Sequence, residues 1–146
     1  MSTCKFCALL TTPNLGAALP NLVLETDRVV AALNRRPVAP GHVTLILKAH
    51  HEQTSDLVDT HLTGFGDVAG RVARVLEKAY GPARVVLLGD GKRSAHLHFH
   101  LIPEPAGATL DAGAAVTDLN LATRPPTLSD AETTATVRTL REALQA

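Results

Sequence analysis

Apolar positions along this chain recur with two periods, and the change of period marks its elements. "LVLETDRVVAAL" reads as two short strands, Leu22–Glu25 and Val29–Leu33, joined by a tight turn at Thr26-Asp27. In "PGHVTLILK", Val43, Leu45 and Leu47 alternate with His42, Thr44, Ile46 and Lys48, which predicts a third strand entered from a Pro-Gly turn. The period then lengthens. From about Thr54 to Tyr80 the residues Leu57, Leu62, Phe65, Val68, Ala69, Val72, Val75, Leu76 and Ala79 fall on one stripe at helical spacing. Ser55 is placed to cap this helix and Gly81-Pro82 to end it. Gly64, Gly66 and Gly70 weaken it, which predicts close approach to a sheet. "ARVVLLG" predicts a short buried strand, and "GDGKRS" a polar turn. In "AHLHFHLI" strict alternation returns, with His96, His98 and His100 on one face of a strand and Leu97, Phe99 and Leu101 on the other. The pattern lapses between Ala106 and Pro126, which reads as loop. A last helix, about Asp130–Leu144, opens with Ser129-x-x-Glu132, the pattern of a capping box.

Strand–strand–strand–helix–strand–strand–helix is the order of an α+β fold with a mostly antiparallel, five-stranded sheet. Composition narrows the picture. With 146 residues, 45% of them hydrophobic, the chain is expected to form a single domain over 1–146. Aromatic residues are only 3% and Trp is absent, so Leu, Val and Ala carry the packing. The 14 basic and 14 acidic side chains cancel. Proteins that grip long nucleic acid carry a basic excess, because phosphate neutralisation supplies most of that affinity, so no such partner is expected. A small phosphorylated ligand needs only one or two local cations. No apolar run is long enough for a signal peptide or a membrane span, so no membrane partner is expected either. Cys4 and Cys7 lie too close together to staple a fold, and a cytoplasmic location is the expectation.

A row of three imidazoles on one strand is poor packing unless it serves a metal or a phosphate. A cupin-like metal site needs two histidines and a glutamate on one strand, then a later Pro-x-Gly-x-x-His. Here Glu104 lies too far beyond His98, Pro40-Gly41-His42 comes before the pair, and a long helix sits badly in an all-β barrel. That reading fails.

"HLHFHLI" fits His-φ-His-φ-His-φ-φ, with φ an apolar residue. Upstream, "RVVAALNRRPVAPGHVTLILKAH" supplies an apolar strand, a polar tip, Pro-x-x-Pro-Gly-His, a strand and Lys-x-His. In this order, with a helix between them, the two segments resemble the histidine triad (HIT) superfamily of nucleotide hydrolases and transferases. The resemblance runs from Cys4 to about Pro103, and 104–146 matches only as a loop and a generic terminal helix.

It implies a HIT-like fold and a nucleotide or dinucleotide substrate, cleaved at a phosphate through a nucleotidyl-histidine. His98 falls at the nucleophile, and a neutral imidazole suits that work because its phosphorus adduct is labile to water. His100 and His42 match the flanking histidines that contact the phosphate, and Asn34 matches the residue that holds the ribose hydroxyls. The branch of the family with an N-terminal Cys-x-x-Cys implies a structural zinc held by Cys4, Cys7, His50 and His96, with no organic cofactor. His51 is a rival to His50 as ligand, and His61 reads as an ordinary exposed or capped residue. The other reading of "CKFC", a redox pair, needs a strand before it and a long helix after it, and this pair precedes the first strand. A homodimer through the long helix and an edge strand is also implied.

One segment departs from the family. Many HIT proteins carry a Gly-Gln pair before the triad, whose Gln touches phosphate. Here Gly91 keeps the Gly and Lys92 stands in place of the Gln. Lys92, Arg93 and Ser94 could meet phosphate oxygens from a tight glycine turn, or form a solvated hairpin tip. Three functions follow: a nucleotide-phosphate hydrolase or transferase, a zinc-stabilised nucleotide-binding module with little turnover, and a metal enzyme using the triad as ligands.

Overall fold

The computed structural model describes residues 4–82, 84–90, 94–104 and 127–146. Lys92, Arg93 and the stretch Ala106–Pro126 lie outside them. The strands are β1 (Leu22–Glu25), β2 (Val29–Leu33), β3 (Val43–Leu47), β4 (Arg84–Asp90) and β5 (His98–Glu104). They form one five-stranded sheet in the order β1-β2-β3-β5-β4, with every neighbouring pair antiparallel. The helices are α1 (Lys5–Leu10), α2 (Leu15–Ala18), α3 (Asp59–Tyr80) and α4 (Asp130–Gln145). The α+β fold is therefore the one the sequence predicts. Helix α3 carries the chain from β3 to the far edge, and β5 then returns between β4 and β3.

Alternation along the strands divides the sheet into two faces. On one, Val29, Ala31, Leu33, Val43, Leu45, Phe99 and Leu101 pack against Phe65, Val68, Val72 and Leu76 of α3 and Val137 and Leu140 of α4. Ser129 caps α4 as predicted, its Oγ accepting from the Glu132 N–H at 3.2 Å while Glu132 accepts from the Ser129 N–H at 2.8 Å. On the other face, Leu22 and Val30 meet Leu15 of α2, with Leu9 and Leu10 of α1 packed around them. Strand β2 is buried at every position because both its faces are covered.

Several details differ from the sequence reading. Helix α3 starts at Asp59, not Thr54, because Asp56 turns its carboxylate back onto the Glu52 and Gln53 N–H groups and closes a separate 3-10 turn at Thr54–Asp56. Ser55 caps nothing there. Leu62 falls off the buried stripe and is 47% exposed. Only Gly64 of the three helix glycines approaches the sheet region, where a Cβ would stand 2.8 Å from Cδ of Arg28; Gly66 faces open space. Strand β4 is an edge strand and only half-buried, because β5 covers one side of it alone.

Candidate functional site

The histidine-bearing face of β3 and β5 forms the floor of the site. The register sets Thr44 opposite His100 and Ile46 opposite His98. His42, which precedes β3, is delivered to the same face by the turn Pro40-Gly41. Gly41 is left-handed at φ 80°, and a Cβ there would collide with the Tyr80 ring at the end of α3, 2.8 Å from its Cδ2. Tyr80 thus seats itself on the turn that carries His42. Gly41→Ala is expected to cost about 2–4 kcal/mol, the sum of backbone strain and overpacking. Denaturant unfolding checks this, and an unchanged midpoint would contradict it.

Hydrogen bonds settle the tautomers of the floor. The Val38 N–H donates to His42 Nδ1 at 3.3 Å, so the proton of neutral His42 stands on Nε2 and points at His100 Nδ1, 2.9 Å away. Neutral His100 consequently carries its own proton on Nε2. His98 donates from Nδ1 to the His96 carbonyl at 2.9 Å, which leaves the lone pair on Nε2. Asn34 accepts the Arg36 N–H on Oδ1 at 2.9 Å and reaches Thr44 Oγ1 with Nδ2 at 3.4 Å. Thr44 Oγ1 in turn lies 3.4 Å from His100 Nδ1. Asn34, His98, His100 and Thr44 line one cleft of about 430 Å³, walled on its apolar side by Phe6, Leu9, Leu19 and Ile46. That volume lies in the range of small-molecule sites. Ser94 sits half-buried in the bend before β5 and is not among the residues lining the cleft.

His96 falls outside the strand, in that same bend, and belongs to a second cluster. Its Nε2–H donates to the Leu47 carbonyl at 2.6 Å. This turns Nδ1 toward Cys4 Sγ at 3.3 Å and Cys7 Sγ at 3.5 Å. His50 Nδ1 stands 3.2 Å from Cys7 Sγ, and its Nε2 lies 3.5 Å from Glu52. The four ligand atoms lie within 4.8 Å of one another. A zinc tetrahedron of two sulfurs and two ring nitrogens has edges of about 3.3–3.8 Å, so the donor set and its spacing fit. A carboxylate behind a metal-facing histidine is the usual outer partner. These residues could bind a metal. His51 is not part of the cluster: its ring packs on His61, centroids 4.5 Å apart, and its carbonyl accepts the Leu97 N–H at 2.6 Å. His61 caps α3, its Nδ1 accepting the Val58 N–H at 3.4 Å.

The electrostatics at His96 and Cys4 suit metal binding. Burial pushes the His96 ring below the ordinary histidine range, against its bond to the Leu47 carbonyl, and the neighbouring imidazoles push it further. Its neutral, ligating form is therefore favoured, and acid works against the fold here. Burial alone would raise the Cys4 thiol, but hydrogen bonds from the backbone and side chain of Cys7, from His50 and from the Phe6 backbone bring it below its usual value. Cys7 is pushed up by burial and by its bond to Cys4, whose charge adds to the effect.

Three contributors escaped the sequence reading: Tyr80, Thr44 and Phe6. The aromatic residue at the end of the one long helix, facing a Pro-Gly turn, was the available signal for Tyr80. Phe6 and α1 carried none, since six residues are too few to show a period.

A family model described as HIT domain matches residues 18–107. The chain is 32% identical to an uncharacterised HIT-like protein of Mycobacterium tuberculosis, over 97% of this chain and 92% of that one. It is 31% identical to adenosine 5'-monophosphoramidase of Saccharomyces cerevisiae, over 70% of this chain and 63% of that one. Among solved structures, a zinc-bound histidine triad family protein from Mycobacterium smegmatis superposes with a TM-score of 0.71 at 23% identity, covering 98% of this chain and 94% of that one.

Proposed function

The chain belongs to the HIT family, and we propose that within it this protein is a nucleotide-phosphate hydrolase or transferase working through a nucleotidyl adduct on His98. The observation that carries this reading is the commitment of His98 Nδ1 to the His96 carbonyl, which leaves Nε2 as the nucleophilic nitrogen at the cleft. Nε2 attacks the α-phosphorus, the bond from phosphorus to the leaving group breaks, and water then displaces His98 to release a nucleoside monophosphate. His100, with its Nδ1 held by His42, directs an Nε2 proton at the phosphate or the leaving group. Asn34 receives the ribose hydroxyls, and the wall of Phe6, Leu9 and Leu19 receives the base.

The substrate class is a nucleoside monophosphate conjugate or a dinucleoside polyphosphate; the yeast relative's phosphoramidase name agrees with the first. Zinc at Cys4, Cys7, His50 and His96 has a structural role, because four protein ligands leave no open position. No helix among the described residues is long and apolar enough to cross a membrane. A homodimer through α3 and edge strand β4 completes the reading, and it would cover Leu87, 47% exposed on β4.

A panel of dinucleoside polyphosphates, phosphoramidates, nucleotide sulfates and sugar nucleotides, at low micromolar enzyme, tests the activity. AMP or GMP release from one class is expected. Nucleotide binding with no release from any would identify a binding module instead. Lys92 and Arg93 are read as replacing the missing Gln at the phosphate. Changing both to Ala is expected to lower kcat/KM by a factor worth about 1–3 kcal/mol, the size of a charge-assisted contact. Unaltered kinetics would make them solvated decoration.

A further inference from the structure

The cysteine–histidine cluster and the cleft share a side chain. Phe6 lies between Cys4 and Cys7 in α1, and its ring stands 5.4 Å from the His96 ring and 5.2 Å from the His98 ring, centroid to centroid. It also lines the cleft. Helix α1 has six residues and none of them is fully buried. So short a helix does not hold itself in water, and its position depends on what its ends and side chains grip. Its first turn is gripped by the cluster: Cys4 caps it, with Sγ accepting from the Cys7 N–H at 3.5 Å, and both sulfurs face His96. On the opposite side, the His96 carbonyl orients His98. What fixes the cluster therefore fixes the cleft wall at Phe6 and the backbone that aims His98.

We propose that a metal at Cys4, Cys7, His50 and His96 and a nucleotide in the cleft bind with positive coupling, transmitted by the Phe6 ring. The proposal rests on reading the cleft as a nucleotide site. Phe6 is a positioning residue for the metal knuckle as well as a wall of the cleft: a nucleotide packed against it holds α1 down, and α1 held down keeps both sulfurs in place. Coupling between sites is reciprocal, so each ligand must tighten the other by the same factor.

Zinc-loaded protein is titrated with a chromophoric chelator, with and without saturating AMP or GMP, and the zinc transferred at equilibrium is read by absorbance. Calorimetry of the loaded protein measures nucleotide affinity separately. Nucleotide is expected to tighten zinc about tenfold, within the usual range of such couplings. Phe6→Leu keeps apolar bulk in the knuckle and is expected to retain zinc; its nucleotide affinity falls, because Phe6 also walls the cleft, and at saturating nucleotide the tightening of zinc largely disappears. If nucleotide binds the loaded protein and zinc affinity is unchanged, the coupling is absent although the cleft reading stands. If Phe6→Leu keeps the full tightening, Phe6 is not the transmitter. If neither nucleotide binds the loaded protein, the cleft reading fails and the coupling with it.

Discussion

His98→Ala is expected to abolish turnover, by roughly a thousandfold or more, while zinc content and nucleotide binding persist. The size follows from the chemistry: removing a covalent nucleophile removes the two-step route, and what remains is binding and electrostatic stabilisation by the rest of the site. The fold should tolerate the change. His98 faces the cleft, away from the core between sheet and helices, and its Nδ1 donates to the carbonyl of His96. That carbonyl loses its donor, at a cost of about 1–3 kcal/mol. The melting temperature and the Kd for AMP separate this outcome from unfolding. A variant that binds nucleotide and still turns over near the normal rate would show that His98 is not the nucleophile.

Cys4→Ser is expected to act on stability before it acts on chemistry. About one tightly bound zinc per chain should survive dialysis of the parent protein, and the variant should retain far less. Structural zinc supplies on the order of 10–16 kcal/mol of binding free energy at neutral pH. Losing one thiolate forfeits several of these, so Tm should drop by roughly 10 °C or more. The sign of the pH dependence follows from the ligands. Thiols must shed protons to take the metal, so this stability is present at neutral pH and is lost as pH falls. Metal analysis after dialysis, together with melting curves, checks both statements. A metal-free parent that is fully folded and active would contradict them.

Much of the fold was legible because the sheet obeys alternation and the main helix obeys a stripe. Val43, Leu45 and Leu47 announce β3, and the row from Leu97 to Leu101 announces which side of β5 meets the helices. The cleft face was legible as histidines but not as a cleft. Apart from Ile46 of β3, its apolar wall comes from α1 and the end of α2, where Phe6, Leu9 and Leu19 are spread over turns too short to display a period. Boundaries failed where a side chain had two uses: Ser55 looked like the cap, while the neighbouring Asp56 took the backbone donors and broke the stretch in two. The metal set was legible only through family resemblance. Spacing could not choose between His50 and His51, and the fold separates them by pointing one ring at Cys7 and packing the other at a tilt on His61.

The mechanism turns on the Nε2 nitrogen of His98 as the atom that takes the nucleotide. Its most direct test is mass spectrometry of enzyme quenched in alkali during turnover of whichever panel substrate releases AMP or GMP. The mass should rise by one nucleotidyl group, the group should be acid-labile, and peptide mapping should place it on His98, with nothing gained in His98→Ala. An adduct on any other residue, or turnover with none trapped at any quench time, would contradict the mechanism.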